Sequence, residues 1–184
     1  MCEIGCGEGV AAVQIARAFP GVTVDGYDLD EKSIAAARTE ADAVGVADRV
    51  RFEVCDAAAD AVDGDYDLVF CVEMLHDVSD PVGVLGTMRR LRAPGGAVLV
   101  IDERAADAFD PDADEMERLF YACSTLHCLP VGMTEPGSAA TGTVIRPDVV
   151  RQYAQQAGFD GVDVLDIDHP QFRLYLLHSL DDAS

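Results

Sequence analysis

The amino-acid sequence predicts one α/β domain built around a mostly parallel sheet. Three observations carry that prediction. Short apolar runs alternate with helical patterns through the first two thirds of the chain, as strand–helix–strand units require. Two of the runs, residues 68–72 and 97–101, are apolar at every position, which fits strands covered by helices on both faces. The chain has 184 residues, 49% of them hydrophobic, enough for one sizeable core but short for two.

Residues 2–5 form the stub of a first strand and lead into a glycine-rich turn. A helix is predicted from Val10 to Phe19, closed by Pro20-Gly21, and a second strand from Val22 to Tyr27. Asp30 is placed to cap the next helix, which sets Ile34, Ala37, Ala41 and Val44 on one face and ends at Gly45. The third strand, Arg49 to Cys55, alternates Val50, Phe52 and Val54 with Arg49, Arg51 and Glu53, the pattern of a half-exposed edge. Between the two apolar strands a helix is expected to start at Ser79 or Asp80, with Pro81 in its first turn. It buries Val84, Leu85, Met88 and Leu91 and stops before Pro94-Gly95-Gly96.

After the fifth strand the composition shifts, and residues 105–145 look like an insertion placed to cover a substrate site. A helix from Ala113 to Cys128 is predicted to put Met116, Leu119, Phe120 and Cys123 on one stripe, followed by a Gly/Ser/Thr-rich loop from Val131 to Val144 that can act as a mobile cover. A last helix starts at Pro147 and stops at Gly158. Strands over 162–167 and 172–178, joined by a turn at Asp168-His169-Pro170, must then be antiparallel.

The formal charge of −21, with Lys32 the only lysine, gives a field that repels phosphate backbones, so nucleic acid is excluded as a partner. Such a balance suits a salt-rich cytoplasm. No apolar run reaches the roughly 20 residues that span a bilayer, and no secretory pattern opens the chain, so no membrane partner and a cytoplasmic location are expected. The six cysteines lie scattered in apolar segments without the spacing of a zinc site, so they are expected to be reduced and no metal is assigned.

The segment Glu3-Ile4-Gly5-Cys6-Gly7-Glu8-Gly9 joins the first strand to the first helix, where glycines let a ligand approach the backbone closely. Asp28, nineteen residues past Gly9, stands at the end of the second strand, where its carboxylate can accept from both hydroxyls of a ribose. Asp56 ends the third strand. Three acids therefore fall at the carboxyl ends of three parallel strands, the edge along which open sheets bind ligands.

With Tyr66-Asp67-Leu68-Val69, these motifs resemble the class I S-adenosylmethionine-dependent methyltransferases over nearly the whole chain. The resemblance implies a Rossmann-like sheet of order 3-2-1-4-5-7-6 with strand 7 antiparallel, and S-adenosyl-L-methionine as cofactor. It implies that Glu3 and the loop of Gly5, Cys6, Gly7 and Gly9 face the methionine part, that Asp28, next to Leu29, holds the ribose, and that Asp56 with the Ala57 backbone reads the adenine. Cys71, Glu73 and Met74 would line the sulfonium end. More narrowly, Leu119-Phe120-Tyr121 and Leu126-His127-Cys128-Leu129-Pro130 resemble a bacterial and archaeal subgroup that carries an N-terminal winged-helix domain. Residues 1–184 are expected to be a single catalytic domain truncated at its N-terminus, with a homodimer possible.

Methyl transfer to a hydroxyl or carbon acid requires loss of a proton, and His127 and His76 are the candidate catalytic bases. The acceptor is expected to be a small, partly apolar molecule, suited to Phe120, Tyr121 and Leu126. Two alternatives share the glycine turn: a nicotinamide-dependent oxidoreductase, and a non-catalytic cofactor-binding remnant. Glu8 puts negative charge where a pyrophosphate would sit, which weighs against the first. The second expects an exposed apolar surface around Met1 to Ile4.

Overall fold

The structure is a computed structural model that describes residues 1–58 and 62–179. Seven strands form one sheet in the order β3-β2-β1-β4-β5-β7-β6. They are β1 (Cys2–Ile4), β2 (Val24–Asp28), β3 (Val50–Val54), β4 (Tyr66–Val72), β5 (Arg92–Glu103), β6 (Gly161–Val164) and β7 (Phe172–His178). The first five are parallel neighbours, and β7 runs antiparallel to both β5 and β6. The order, the edge position of β3 and the terminal hairpin are those expected from sequence.

Helices α1 (Val10–Ala18) and α2 (Glu31–Val44) cover one face, where Ala12, Val13, Ala16, Ile34 and Ala37 pack with Phe52 and Phe70. Helices α3 (Pro81–Leu91) and α6 (Pro147–Gln156) cover the other, where Val84, Leu85, Met88, Val150 and Ala154 pack with Ile4, Val69, Val98 and Tyr175. Capping follows the sequence signals. Asp30 accepts from the Ser33 N–H at 2.9 Å, Asp80 accepts from Gly83 at 2.8 Å, and Gly45 ends α2 at φ 74°. Among the described residues no helix is long and apolar enough to cross a membrane.

Several boundaries move for identifiable reasons. β5 begins at Arg92 rather than after Gly96, because Gly95 at φ 76° absorbs a register shift against β4 and lets pairing resume upstream. Val54 lies at the end of β3 and is exposed instead of sharing the buried face of Val50 and Phe52. β1 is buried throughout, so the apolar surface expected around Met1 to Ile4 under the remnant reading is not there.

The insertion departs most. Its helix α4 covers Glu115–Cys123, then winds through a π-helical turn, Ser124–Cys128, into the short α5, Leu129–Gly132. Pro130 has no N–H to give to an α-type bond, and the wider turn stands just before it. The predicted stripe is also rotated. Leu119 and Cys123 are exposed, while Glu117, Phe120 and Ser124 face inward. Glu117 causes this, because its carboxylate accepts from the Ala106 N–H at 2.6 Å and pairs with Arg146 at 2.8 Å. Arg146 also donates to the Tyr121 hydroxyl and the Ala106 carbonyl, so one polar cluster fastens α4 to the start of α6.

At Gly9 the left-handed φ of 75° coincides with close packing, since a Cβ there would lie 2.5 Å from the Phe52 ring. Gly9→Ala is expected to cost about 2 kcal/mol or more through backbone strain and overpacking, measured as a lower urea midpoint at unchanged m.

Candidate active site at the carboxyl edge of the sheet

Where β1 and β4 lie side by side, the chain leaves them toward opposite faces of the sheet, and a crevice opens outside their carboxyl ends. It is a cleft of about 710 Å³. Gly5, Asp28, Leu29, Asp56, Ala57 and Met74 all lie on its wall, so six of the residues singled out from sequence converge there. Val78, Asp80 and the insertion loop at residues 134–138 complete it.

Asp28 ties this edge together. One carboxylate oxygen accepts from the Gly7 N–H at 2.8 Å and the other from Asp30 at 2.9 Å. Each oxygen retains acceptor capacity, so the pair still matches two adjacent hydroxyls of a ribose. Gly5 lies against Met74, whose Cγ would be 2.3 Å from an added Cβ, so only a glycine leaves this junction open. Apolar Leu29, Ala57, Met74 and Val78 can enclose a flat heterocycle, and Asp56, turned back onto the Ala58 N–H at 2.8 Å, stands at the rim. The chemistry of this donor set fits a nucleoside. A nucleoside-bearing sulfonium such as S-adenosylmethionine can be held there by Asp28, Asp56 and the Gly5–Gly9 turn.

Of the other predicted cofactor residues, Glu3, Cys6 and Cys71 are buried. Glu3 is buried beneath the glycine turn and accepts from the Ala12 N–H at 3.0 Å, which anchors the start of α1. Burial pushes its carboxyl up to about 8, against the opposing pull of the Ala12 bond. Cys6 and Cys71 are buried, and burial raises both thiols. Glu73 is exposed and not on the cleft wall; it stands at φ 50°, a strained turn immediately before Met74, and desolvation raises its carboxyl.

The two histidines separate. His127 is exposed on the π-helical turn and is not on the cleft wall. His76 is buried beside the cleft, with Nδ1 2.7 Å from Asp102 and 2.9 Å from Glu103, and Nε2 3.2 Å from Asp77. Burial alone would depress its pKa, but the bonds to Asp102, Asp77 and Glu103 outweigh burial and raise it far above the ordinary imidazole range. Burial in turn lifts Glu103 to about 7, despite the His76 contact. The ring nitrogen and the Asp102 and Glu103 oxygens lie within 4.8 Å of one another, a possible metal donor set, but 2.7 Å is a direct hydrogen bond.

Sequence reasoning missed Asp102 and Glu103. A signal existed, because they are the only acids on β5 and stand at its carboxyl end. Of the residues expected to meet the acceptor, Phe120 is buried, Tyr121 is at the surface in the Arg146 cluster, and Leu126 is 82% exposed.

The chain belongs to the methyltransferase domain family, within the class of S-adenosylmethionine-dependent methyltransferases: the family model for a methyltransferase domain matches residues 1–158. It is 30% identical over 159 residues to the ubiquinone biosynthesis O-methyltransferase of Methylococcus capsulatus, covering 86% of this chain and 62% of that protein. The solved structure of the S-adenosylmethionine-dependent methyltransferase SibL, in its apo form, superposes with a TM-score of 0.76 at 24% identity, over 97% of this chain and 50% of that one. The O-methyltransferase NcsB1 from neocarzinostatin biosynthesis, in complex with S-adenosyl-L-homocysteine and 1,4-dihydroxy-2-naphthoic acid, superposes at 0.70 and 19% identity, over 97% and 48%. The chain thus spans less than two thirds of the length of these relatives.

Because the folded chain holds Glu3 protonated to higher pH than the unfolded chain does, stability contributed at acid pH should fall as pH rises from the ordinary carboxyl range toward 8. Glu3→Gln keeps the acceptor for Ala12 and should flatten that fall, read as thermal midpoints of both proteins between pH 5 and 8.

Proposed function

We propose that this chain transfers a methyl group from S-adenosylmethionine to a small-molecule acceptor. The observation that carries the reading is the convergence of Gly5, Asp28, Leu29, Asp56, Ala57 and Met74 on one cleft at the carboxyl edge of β1, β2, β3 and β4. When bound, the cofactor supplies an electrophilic methyl on a sulfonium. The residues of this chain bind and orient: Asp28 the ribose hydroxyls, Asp56 and Ala57 the base, and the Gly5–Gly9 turn, supported from below by Glu3, the amino-acid end. The insertion loop at residues 134–138 excludes water on the outer side, which matters for a displacement whose rate depends on alignment.

Where the acceptor is a hydroxyl, His76 is the better placed of the two imidazoles to take its proton. Asp102 fixes the ring through Nδ1, which sets the tautomer and turns Nε2 toward Asp77 on the cleft wall. A base must be unprotonated to act, and carboxylates that raise its pKa move the active form to higher pH. Activity should therefore rise with pH along a limb alkaline of the ordinary histidine range, and Asp102→Asn should shift that limb downward, in a kcat profile across pH 6–10.

Isothermal titration with S-adenosylhomocysteine tests the cofactor reading directly. Saturable binding that Asp28→Ala weakens tenfold or more is the expected result. Binding of NADH in its place would establish the oxidoreductase alternative, and cofactor binding without turnover on any acceptor the remnant.

A further inference from the structure

Among the described residues the cleft wall carries five carboxylates, Asp28, Asp56, Asp77, Asp80 and Glu135, and no lysine, arginine or histidine. Binding a nucleoside requires no such charge. The hydrogen bonds recorded for three of these groups come from neutral backbone N–H donors: Asp28 from Gly7 and Asp30, Asp56 from Ala58, and Asp80 from Gly83. These bonds orient the carboxylates without cancelling them. Among the described residues the recorded ion pair on this wall is that of Asp77 with His76 at 3.2 Å, and that imidazole is shared with Asp102 and Glu103. The N-terminus of α3, behind Asp80, offsets about half a charge. Behind the wall Glu103 is buried, with His76 as its recorded ion-pair partner.

S-adenosylmethionine and its product differ by one charge at one atom. The α-amino and α-carboxylate groups cancel in both, so the sulfonium cofactor is a net cation and the thioether product is neutral. We propose that this cleft discriminates by charge, holding the sulfonium more tightly than the thioether left after transfer, with Asp80 and Glu135 as specificity-determining residues. The proposal rests on the cofactor reading above. Its consequence is that loss of the methyl itself weakens the hold on the product and promotes exchange for fresh cofactor. A unit charge about 8 Å from a carboxylate in water-like surroundings gains roughly a factor of two in affinity, so several together give on the order of tenfold. Because the cleft is open to solvent, that advantage must shrink as salt screens it.

The test is isothermal titration of the chain with three ligands: S-adenosylmethionine, S-adenosylhomocysteine, and the cationic analogue in which an amine-bearing carbon replaces the sulfonium. Titrations at about 0.02 M and about 0.5 M salt bracket the screening range. Both cations are expected to bind about tenfold tighter than S-adenosylhomocysteine at low salt, the gap closing to about twofold at high salt. Glu135→Gln and Asp80→Asn keep side-chain shape, and asparagine still caps α3. Each should weaken both cations about twofold and leave S-adenosylhomocysteine unchanged, a split that a purely structural effect would not produce. Equal or tighter binding of S-adenosylhomocysteine, a gap indifferent to salt, or variants that weaken all three ligands alike would overturn the proposal while leaving the cofactor site standing. Binding of none of the three would overturn both.

Discussion

The carboxylate of Asp28 is the tie on which the ligand edge of this fold depends. Two turns border the cleft, the glycine turn after β1 and the turn from β2 into α2, and they are separated by a whole helix in sequence. Asp28 bonds the backbone of both, through Gly7 and Asp30. The β-ladder below sets their heights, since Ile4 pairs with Tyr27 and Gly5 and Cys6 both donate to the Tyr27 carbonyl. A group already satisfied by two N–H donors is held in one orientation before any ligand arrives, so less order has to be created on binding.

A second layer of order lies under the cleft. Glu3, Asp102, Glu103 and His76 are nearly or wholly inaccessible, yet each is answered by a hydrogen bond or a charge. Asp102 is the most fully used, because its oxygens accept from the His76 ring, the His76 backbone and the Glu103 backbone. Removing one partner from such a network leaves another buried and unpaired, which costs more than the bond itself contributed. The His76 part of the network thereby couples the end of β5 to the loop that follows β4, and it is the reason a histidine can stand inside an apolar core.

What could be seen in the sequence was whatever local chemistry dictates. The edge alternation of β3 up to Phe52, the continuous apolar runs of β4 and β5, the caps at Asp30 and Asp80 and the stop at Gly45 each depend on a few neighbouring residues, and each appears where expected. The ligand edge was legible for the same reason, since an acid directly after a strand needs only the strand to be placed. The insertion was not. The facing of α4 is set by Glu117 reaching Ala106 and Arg146, contacts 11 and 29 residues away that hydrophobic periodicity does not record. The partnership of His76 with Asp102 spans 26 residues and was hidden likewise.

The π-helical turn has a geometric consequence of its own. An α-helix keeps its two ends in a fixed angular phase, so whatever α4 presents inward would dictate what the following turn presents. The widened winding at Ser124–Cys128 breaks that phase. Upstream of it, Glu117 and Phe120 answer to the body of the domain; downstream, Gly132 offers its carbonyl to the hydroxyls of Ser79 and Ser138 and so lays the cleft loop against the segment that leads into α3. One slip in winding gives the insertion two independent bearings, so the surface it lends to the cleft can change without disturbing the attachment that holds it.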